Sequence, residues 1–231
     1  MNIIVTGASK GIGKAIAEIF SAEGHTLLLC SRNQSQLQHT AEELASRYGN
    51  KIHYHAADLS KKEEVEVFGK WCLEIGTPDI LINNAGRFVP GSIYNETEGI
   101  LEDMIATNLY SAYHLTRKIV PAMIANKAGH VFNICSIASV KPYSNGGSYG
   151  ISKFAMLGFS KNLREELMPL NIKVTSVLPG AVYTDSWSGS GIEPTRIMED
   201  KDIATMVLAA SKLSPQACVE EILIRPQLGD L

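Results

Sequence analysis

Asn2-Ile3-Ile4-Val5-Thr6-Gly7-Ala8-Ser9-Lys10-Gly11-Ile12-Gly13 opens the chain as an apolar run that turns on three glycines into a helical pattern. The branched apolar residues read as a buried strand, and the pattern from Ile12 onward reads as an amphipathic helix. Glycines at such a junction permit a tight turn and let backbone amides approach a phosphate at a helix N-terminus. The spacing is G-x-x-x-G-x-G, with Ile16 where the G-x-G-x-x-G form has its last glycine. A glycine-rich turn can be no more than a turn. Placed after a strand and before a helix, it reads as a nucleotide cradle formed by Gly7, Ser9, Lys10, Gly11, Ile12 and Gly13.

The same alternation continues downstream. Strands are expected at Asn2–Thr6, Thr26–Ser31, Ile52–Ala56, Ile80–Asn83, 130–135, 172–178 and 219–224. Helical patterns fall between them at 12–23, Gln34–Tyr48, Lys62–Ile75, 99–125, 148–168 and Asp200–Ser211. Ser60 followed by Glu63 has capping-box spacing for the third of these helices. Strands so uniformly apolar are covered on both faces, which calls for a doubly wound parallel α/β sheet of about seven strands in a single domain. Ligands on such a sheet bind beyond the carboxyl ends of the strands. The stretch 181–199 is rich in Ser, Gly and Pro and lacks periodicity, as a substrate lid would.

Composition narrows the classes. The chain has 231 residues, 45% of them hydrophobic and 19% charged, with a formal net charge of −3. That balance offers no basic excess for nucleic acid or an acidic membrane surface. No apolar run approaches the ~20 residues that span a bilayer. Because a buried strand starts at Asn2, no leader is expected before the fold, and the cytoplasm is the expected location. Cys30, Cys72, Cys135 and Cys218 are widely spaced and read as reduced, mostly buried thiols. His53 and His55 share a strand face without a third ligand, so no metal site is expected.

At the end of the second strand, where NAD-binding folds place a carboxylate, this chain has Ser31 and Arg32, with Lys10 nearby in the glycine turn. A carboxylate would repel a 2′-phosphate, whereas two cations can hold it. At roughly 1.5–3 kcal/mol per charge-assisted contact, one or two such contacts favour NADP(H) over NAD(H) about tenfold to several-hundredfold.

Further on, Gly147-Ser148-Tyr149-Gly150-Ile151-Ser152-Lys153 places a phenol and an ammonium one helical turn apart. A free tyrosine ionises near ~10, and an adjacent ammonium with a helix N-terminus favours the phenolate. The pair reads as a general acid/base for a carbonyl or an alcohol, although Tyr-x-x-x-Lys alone is also a common surface pair.

Taken in order, these pieces resemble the short-chain dehydrogenase/reductase family in its single-domain, short-subunit branch. The motifs are Thr6 to Gly13, Asp58, Asn83-Asn84-Ala85-Gly86, Asn108, Ser136, Tyr149 with Lys153, and Pro179-Gly180; the resemblance runs from Asn2 to about Leu178. It implies a Rossmann-type sheet and one NADP-binding domain over 1–231. It also implies adenine contacts at Asp58 and Leu59, ribose contacts at Asn84, Ala85 and Gly86, and nicotinamide contacts along Pro179, Gly180, Val182 and Thr184. In the mechanism so implied, Ser136 orients the carbonyl and Tyr149 donates the proton. Lys153 holds the nicotinamide ribose and lowers the tyrosine's pKa, while Asn108 bends its helix and holds a relay water.

The expected reaction is reversible NADPH-dependent reduction of a small carbonyl to an alcohol. The 3-ketoacyl-acyl-carrier-protein reductases are the nearest alternative, put in doubt by the tail from Val219 to Leu231, which lacks their Gly-rich end. A non-catalytic NADP-binding sensor is the alternative of another class, disfavoured because Ser136, Tyr149 and Lys153 are all present. Nucleotide-sugar epimerases need a larger C-terminal region. Substrate choice is expected to lie in 87–92, 140–144 and 181–199, with Phe88, Tyr143 and Trp187 as pocket candidates. The resemblance also implies a homodimer or homotetramer assembled through the long helices.

Overall fold

The computed structural model describes residues 1–184 and 191–230; Trp187 therefore lies outside the described residues. Seven parallel strands form one sheet: β1 (Asn2–Thr6), β2 (Thr26–Ser31), β3 (Ile52–Ala56), β4 (Ile80–Asn83), β5 (Gly129–Ile134), β6 (Ile172–Pro179) and β7 (Glu221–Ile224). Their order is β3-β2-β1-β4-β5-β6-β7, so the direction of winding reverses between β1 and β4. The helices are α1 (Gly11–Ala22), α2 (Gln34–Tyr48), α3 (Lys62–Ile75), α4 (Ile100–Ile105), α5 (Ser111–Asn126), α6 (Gly147–Leu167) and α7 (Asp200–Ser211).

The period of two along each strand sends alternate side chains into two cores. Ile3 and Val5 of β1 join Phe20, Leu37, Phe132 and Val207 under α1, α2 and α7. Ile4 joins Phe68, Leu81, Leu115 and Val131 under α3, α5 and α6. This double coverage explains why the strands read as continuous apolar runs. Among the described residues, no helix is long and apolar enough to cross a membrane. The four cysteines are free thiols, with Cys30, Cys72 and Cys135 buried and Cys218 half-buried.

Polar side chains inside the sheet bond to one another, although Asn83 Oδ1 is buried without a partner among the described residues. Asn83 Nδ2 donates to Thr116 Oγ1 at 3.0 Å and to Asn133 Oδ1 at 2.9 Å, tying β4 to α5 and β5. Asn133 continues to Ser160 on α6 at 2.9 Å. Between the start of β5 and the middle of β6, His130 Nε2 lies 2.7 Å from Thr175 Oγ1. The single Thr175 proton goes to the Val219 carbonyl at 2.6 Å, so Nε2 of a neutral His130 must be the donor in that pair. Burial, and then the Lys173 charge, push the His130 pKa down to about 3.

Three expectations are corrected. The helical pattern over 99–125 is not one helix: α4 and α5 are separated by a π-helical turn, Ala106–Tyr110, centred on Asn108. An inserted residue in the ladder leaves the apolar period nearly intact, so the pattern alone does not reveal it. Ser60 does not cap α3; its hydroxyl donates to Asp58 Oδ1 at 2.8 Å, and the N-cap position is Lys61. Glu64, not Glu63, reaches back, accepting the Asp58 amide at 2.6 Å. The outer strands also shift: β5 starts at Gly129 and ends at Ile134, β6 extends to Pro179, and β7 is confined to Glu221–Ile224.

Candidate active site

The strand-to-helix turn after β1 faces the crevice at the winding reversal. α1 begins at Gly11, has no acidic residue in its first turn, and has no side-chain cap from Lys10. Its N-terminal amides thus form a cradle suited to an anion. A Cβ on Gly13 would run into the Gly7 carbonyl oxygen and Asn84 Nδ2, so the close approach requires glycine. Thr6, not anticipated as a site residue, locks the cradle to the β4 end. Its Oγ1 accepts the amides of both Asn84 and Ala85 at 2.9 Å, and Asn84 Nδ2 donates to the Thr6 carbonyl at 2.9 Å.

The adenosine corner is assembled around the same turn. The Ala8 amide donates to the Cys30 carbonyl at 3.0 Å, and Thr40 Oγ1 on α2 donates to the Ser9 carbonyl at 3.3 Å. These bonds set the glycine turn, with Lys10 and Ile12, beside Ser31 and the exposed Arg32 at the end of β2. Burial alone would push the Asp58 carboxyl up. The Ser60 hydroxyl and amide, with the charges of Arg32 and Lys61, together hold it below the usual carboxylate range. Leu59 beside it is buried.

Beyond β6, the Gly180 amide donates to the Ile224 carbonyl at 2.8 Å, fixing Pro179-Gly180 against β7. The two ends of 181–199 are stitched by a parallel bridge between Val182 and Met198. Tyr183 N donates to the Met198 carbonyl at 2.8 Å. Thr184 overlies the glycine turn, since a Cβ on Gly11 would stand 3.1 Å from Thr184 Cγ2. The residues expected at the two ends of a dinucleotide therefore face one crevice.

Three places in the fold supply the set: Ser136 just after β5, Tyr149 and Lys153 one turn apart on α6, and Asn108 in the π-helical turn. Lys153 is buried, and its Nζ donates to the Ile134 carbonyl at 2.8 Å, two residues before Ser136. The ammonium lies 5.9 Å from the Tyr149 ring centroid. Gly86 stands opposite: a Cβ there would lie 3.2 Å from Asn108 Oδ1 and 3.7 Å from Lys153 Nζ. Ser136 Oγ accepts the Ala138 amide at 3.1 Å, which leaves its own proton to donate. Burial pushes the adjacent Cys135 thiol up to about 12, so it stays protonated and does not compete as a nucleophile.

Asn108 acts as a clamp. Its Oδ1 accepts the Arg87 amide at 2.8 Å, and its Nδ2 donates to the Arg87 carbonyl at 3.0 Å and to Ser152 Oγ at 2.9 Å. Ser152 Oγ donates in turn to the Tyr149 carbonyl at 2.7 Å. Phe88 then meets Tyr149 edge to face with ring centroids 4.9 Å apart. Burial, and then the Tyr149 phenol, push the Tyr143 hydroxyl up to about 12, so Tyr143 adds a neutral phenol to this wall.

A further device was not legible in the sequence. Asp230 accepts two bonds from Arg225, at 3.0 and 2.6 Å, and one from Lys141 at 3.0 Å. Arg196 donates to the Gly229 and Asp230 carbonyls, both at 3.2 Å. The tail thus joins the loop after Ser136, the far end of 181–199 and the end of β7.

Comparison with known proteins agrees with this geometry. The family model described as short chain dehydrogenase matches residues 1–193. An uncharacterized oxidoreductase of Bacillus subtilis, YvrD, is 37% identical over 183 residues, covering 79% of this chain and 69% of that protein. An alcohol dehydrogenase of the archaeon Thermococcus sibiricus, solved with 5-hydroxy-NADP, superposes with a TM-score of 0.90 at 29% identity over 98% of this chain and 96% of that one. A metagenomic short-chain oxidoreductase in complex with NADP gives a TM-score of 0.85 at 32% identity over 98% and 97% of the two chains. With the motifs in one crevice and the family model matching 193 residues of it, the chain belongs to the short-chain dehydrogenase family of oxidoreductases.

Proposed function

We propose that this protein uses NADP(H) to interconvert a small carbonyl compound and its alcohol, with Tyr149 as the proton donor and acceptor. The observation that carries the reading is the convergence of Lys153, Tyr149, Asn108 and the Ser136 strand end on the crevice that also holds the glycine cradle. NADP-bound relatives of the same fold support the cofactor. Gly7, Ser9, Gly11, Ile12 and Gly13 would hold the pyrophosphate. Lys10, Ser31 and Arg32 would hold a 2′-phosphate, and Asp58 and Leu59 the adenine. Asn84, Ala85 and Gly86 would take the ribose side, and Pro179, Gly180, Val182 and Thr184 the nicotinamide end. Bound NADPH supplies the hydride.

The chain's own residues do the rest. With its lone pair committed to the Ala138 amide, Ser136 donates its proton to the substrate oxygen and fixes the carbonyl. Tyr149 transfers its proton to that oxygen as negative charge develops there. Lys153, held on the Ile134 carbonyl, sets its ammonium near the phenol ring and would hold the cofactor ribose. Both Asn108 Nδ2 protons are engaged and Oδ1 already accepts the Arg87 amide, so we assign its share in proton resupply to its main-chain carbonyl in the π-helical turn. The middle of the expected lid 181–199, residues 185–190, lies outside the described residues, and its described ends flank the crevice.

Homo-oligomer formation is the assembly we infer. Tyr110 and Tyr113, with Ile151 and Phe154 of α6, expose apolar surface, and Tyr113 on α5 meets Phe159 on α6 edge to face. Light scattering reads the assembly directly.

The deciding experiment is NADPH and NADH oxidation by the purified protein with small ketones, diketones and an acetoacetyl thioester, with hydroxy acids run in reverse. Turnover of small carbonyls with NADPH well ahead of NADH is the expected result. Marked preference for the thioester would move the assignment to a 3-ketoacyl thioester reductase. No turnover with any carbonyl would remove the reading.

A further inference from the structure

α6 carries Tyr149 and Lys153, yet the helix begins at Gly147 with Gly146 as N-cap and no side-chain cap from that residue. The first four amides of a helix need partners, and helices usually find one in a local Ser, Thr, Asp or Asn. Here the partner comes from 52 residues away. Glu96 Oε2 accepts the Ser148 amide at 3.3 Å, and Glu96 Oε1 accepts the Ser148 hydroxyl. Ser148 is buried and immediately precedes Tyr149.

The seat for this carboxylate is built into the backbone. Gly147 has a φ of 32°, and a Cβ on it would run into the Gly91 carbonyl and stand 2.8 Å from Glu96 Oε2. Asn145, itself at a φ of 59°, accepts the Gly91 amide at 3.1 Å through its carbonyl and the Ser92 hydroxyl at 2.8 Å through Oδ1. Segment 91–96 is therefore fastened to 145–148 at four points. Its upstream end is fastened separately, at Arg87, by the two-point clamp of Asn108. Between the two anchors lies Phe88, edge-on to the Tyr149 ring.

We infer that Glu96 is a positioning residue: its carboxylate caps α6 from a distance and locks the substrate-side wall 87–96 to the turn that presents Tyr149. It acts through Ser148 and the wall, without touching substrate or cofactor. Loosening it lets the phenol and the aromatic wall move relative to Ser136 and Lys153, and small misplacements of reacting groups are costly.

The test compares Glu96→Ala and Glu96→Gln with the parent protein in two ways. The kinetic arm rests on the function proposed above. Glu96→Ala should lower kcat/KM for the carbonyl substrate between roughly tenfold and a hundredfold while the NADPH dissociation constant stays within about twofold. Glu96→Gln, whose amide oxygen still accepts the Ser148 amide, should recover most of the loss. The second arm is amide hydrogen exchange on the protein without substrate, which needs no turnover. Glu96→Ala should speed exchange in 87–96 and in 147–151 together, with peptides from β1 to β4 unchanged. If the parent protein reduces no carbonyl, the proposed function fails while the exchange arm still decides the role of Glu96. Unchanged exchange in both segments, or an unchanged kcat/KM in an active enzyme, would overturn the inference.

Discussion

The cradle after β1 and the wall around Tyr149 face each other across one crevice but are made from different material. The cradle is main chain: glycines, the amides of a helix end, amides held by Thr6 and carbonyls held by Asn84. The wall is side chain: Glu96 on Ser148, Asn108 on Arg87 and Ser152, Asp230 on Arg225 and Lys141. Main-chain geometry is fixed by the sheet and suits a ligand shared by a whole family. Side-chain fastenings, several of them partly exposed, can be exchanged one at a time. Under the proposed function, the difference would put cofactor recognition in the fold and substrate recognition in the sequence of the loops.

The sharpest cut between the two sides is Tyr149→Phe. Removal of the phenolic proton should lower kcat by roughly 10²–10⁴-fold and leave the NADPH dissociation constant unchanged, as read by steady-state turnover beside cofactor fluorescence. A parallel loss of NADPH affinity would break the separation.

Acid bears on the β5–β6 side through His130. Its folded pKa, about 3, lies below the ordinary 6.5, so the unfolded chain takes the proton first as pH falls. Its contribution is whole above about 6.5 and is lost progressively toward 3, at about 1.4 kcal/mol per pH unit. Urea unfolding at pH 7 and pH 4.5 should show about 2–3 kcal/mol more destabilisation in the parent than in His130→Gln, whose amide can still donate to Thr175. Equal losses in both proteins would clear His130.

On the cradle side, Arg32→Ala should raise the NADPH dissociation constant roughly tenfold to a hundredfold, from about 1.5–3 kcal/mol of lost charge-assisted bonding, and leave NADH unaffected. Calorimetric titration with both cofactors reads this. Equal weakening of the two would assign Arg32 to the adenine or to the fold. The smallest effect is expected at Asp230→Asn. Its partners are partly exposed, and such pairs are worth at most about 1 kcal/mol, so KM for the carbonyl should rise less than about fivefold with NADPH binding intact.

The same contrast governs what could be read from residues alone. Strands β1 to β4 and helices α2, α3 and α7 fall where the apolar period places them, because each is set by local pattern and burial. The cradle residues and the Tyr149–Lys153 pair were legible because their chemistry dictates short spacings. The irregularity at Asn108 was implied by the family resemblance, not by the apolar period, which an extra residue in a helix barely disturbs. Ser60 looked like a cap because spacing cannot reveal that Asp58 already holds its hydroxyl. Glu96 was missed because its partner Ser148 lies 52 residues away along the chain, and the bond that ties Asp230 to the loop after Ser136 spans 89 residues to Lys141.

The strand order has a consequence for how the molecule comes into being. From β4 onward each strand pairs with the one made just before it, and β2 and β3 likewise extend from β1 in sequence. The pairing of β1 with β4 is the exception: Thr6 must find Ile82, 76 residues later, after two strands have been added on its other side. Loop-closure entropy makes that the most demanding registration in the sheet. The cofactor cradle lies along that seam, so a ligand that touches both sides of it adds stability to the most long-range pairing in the sheet.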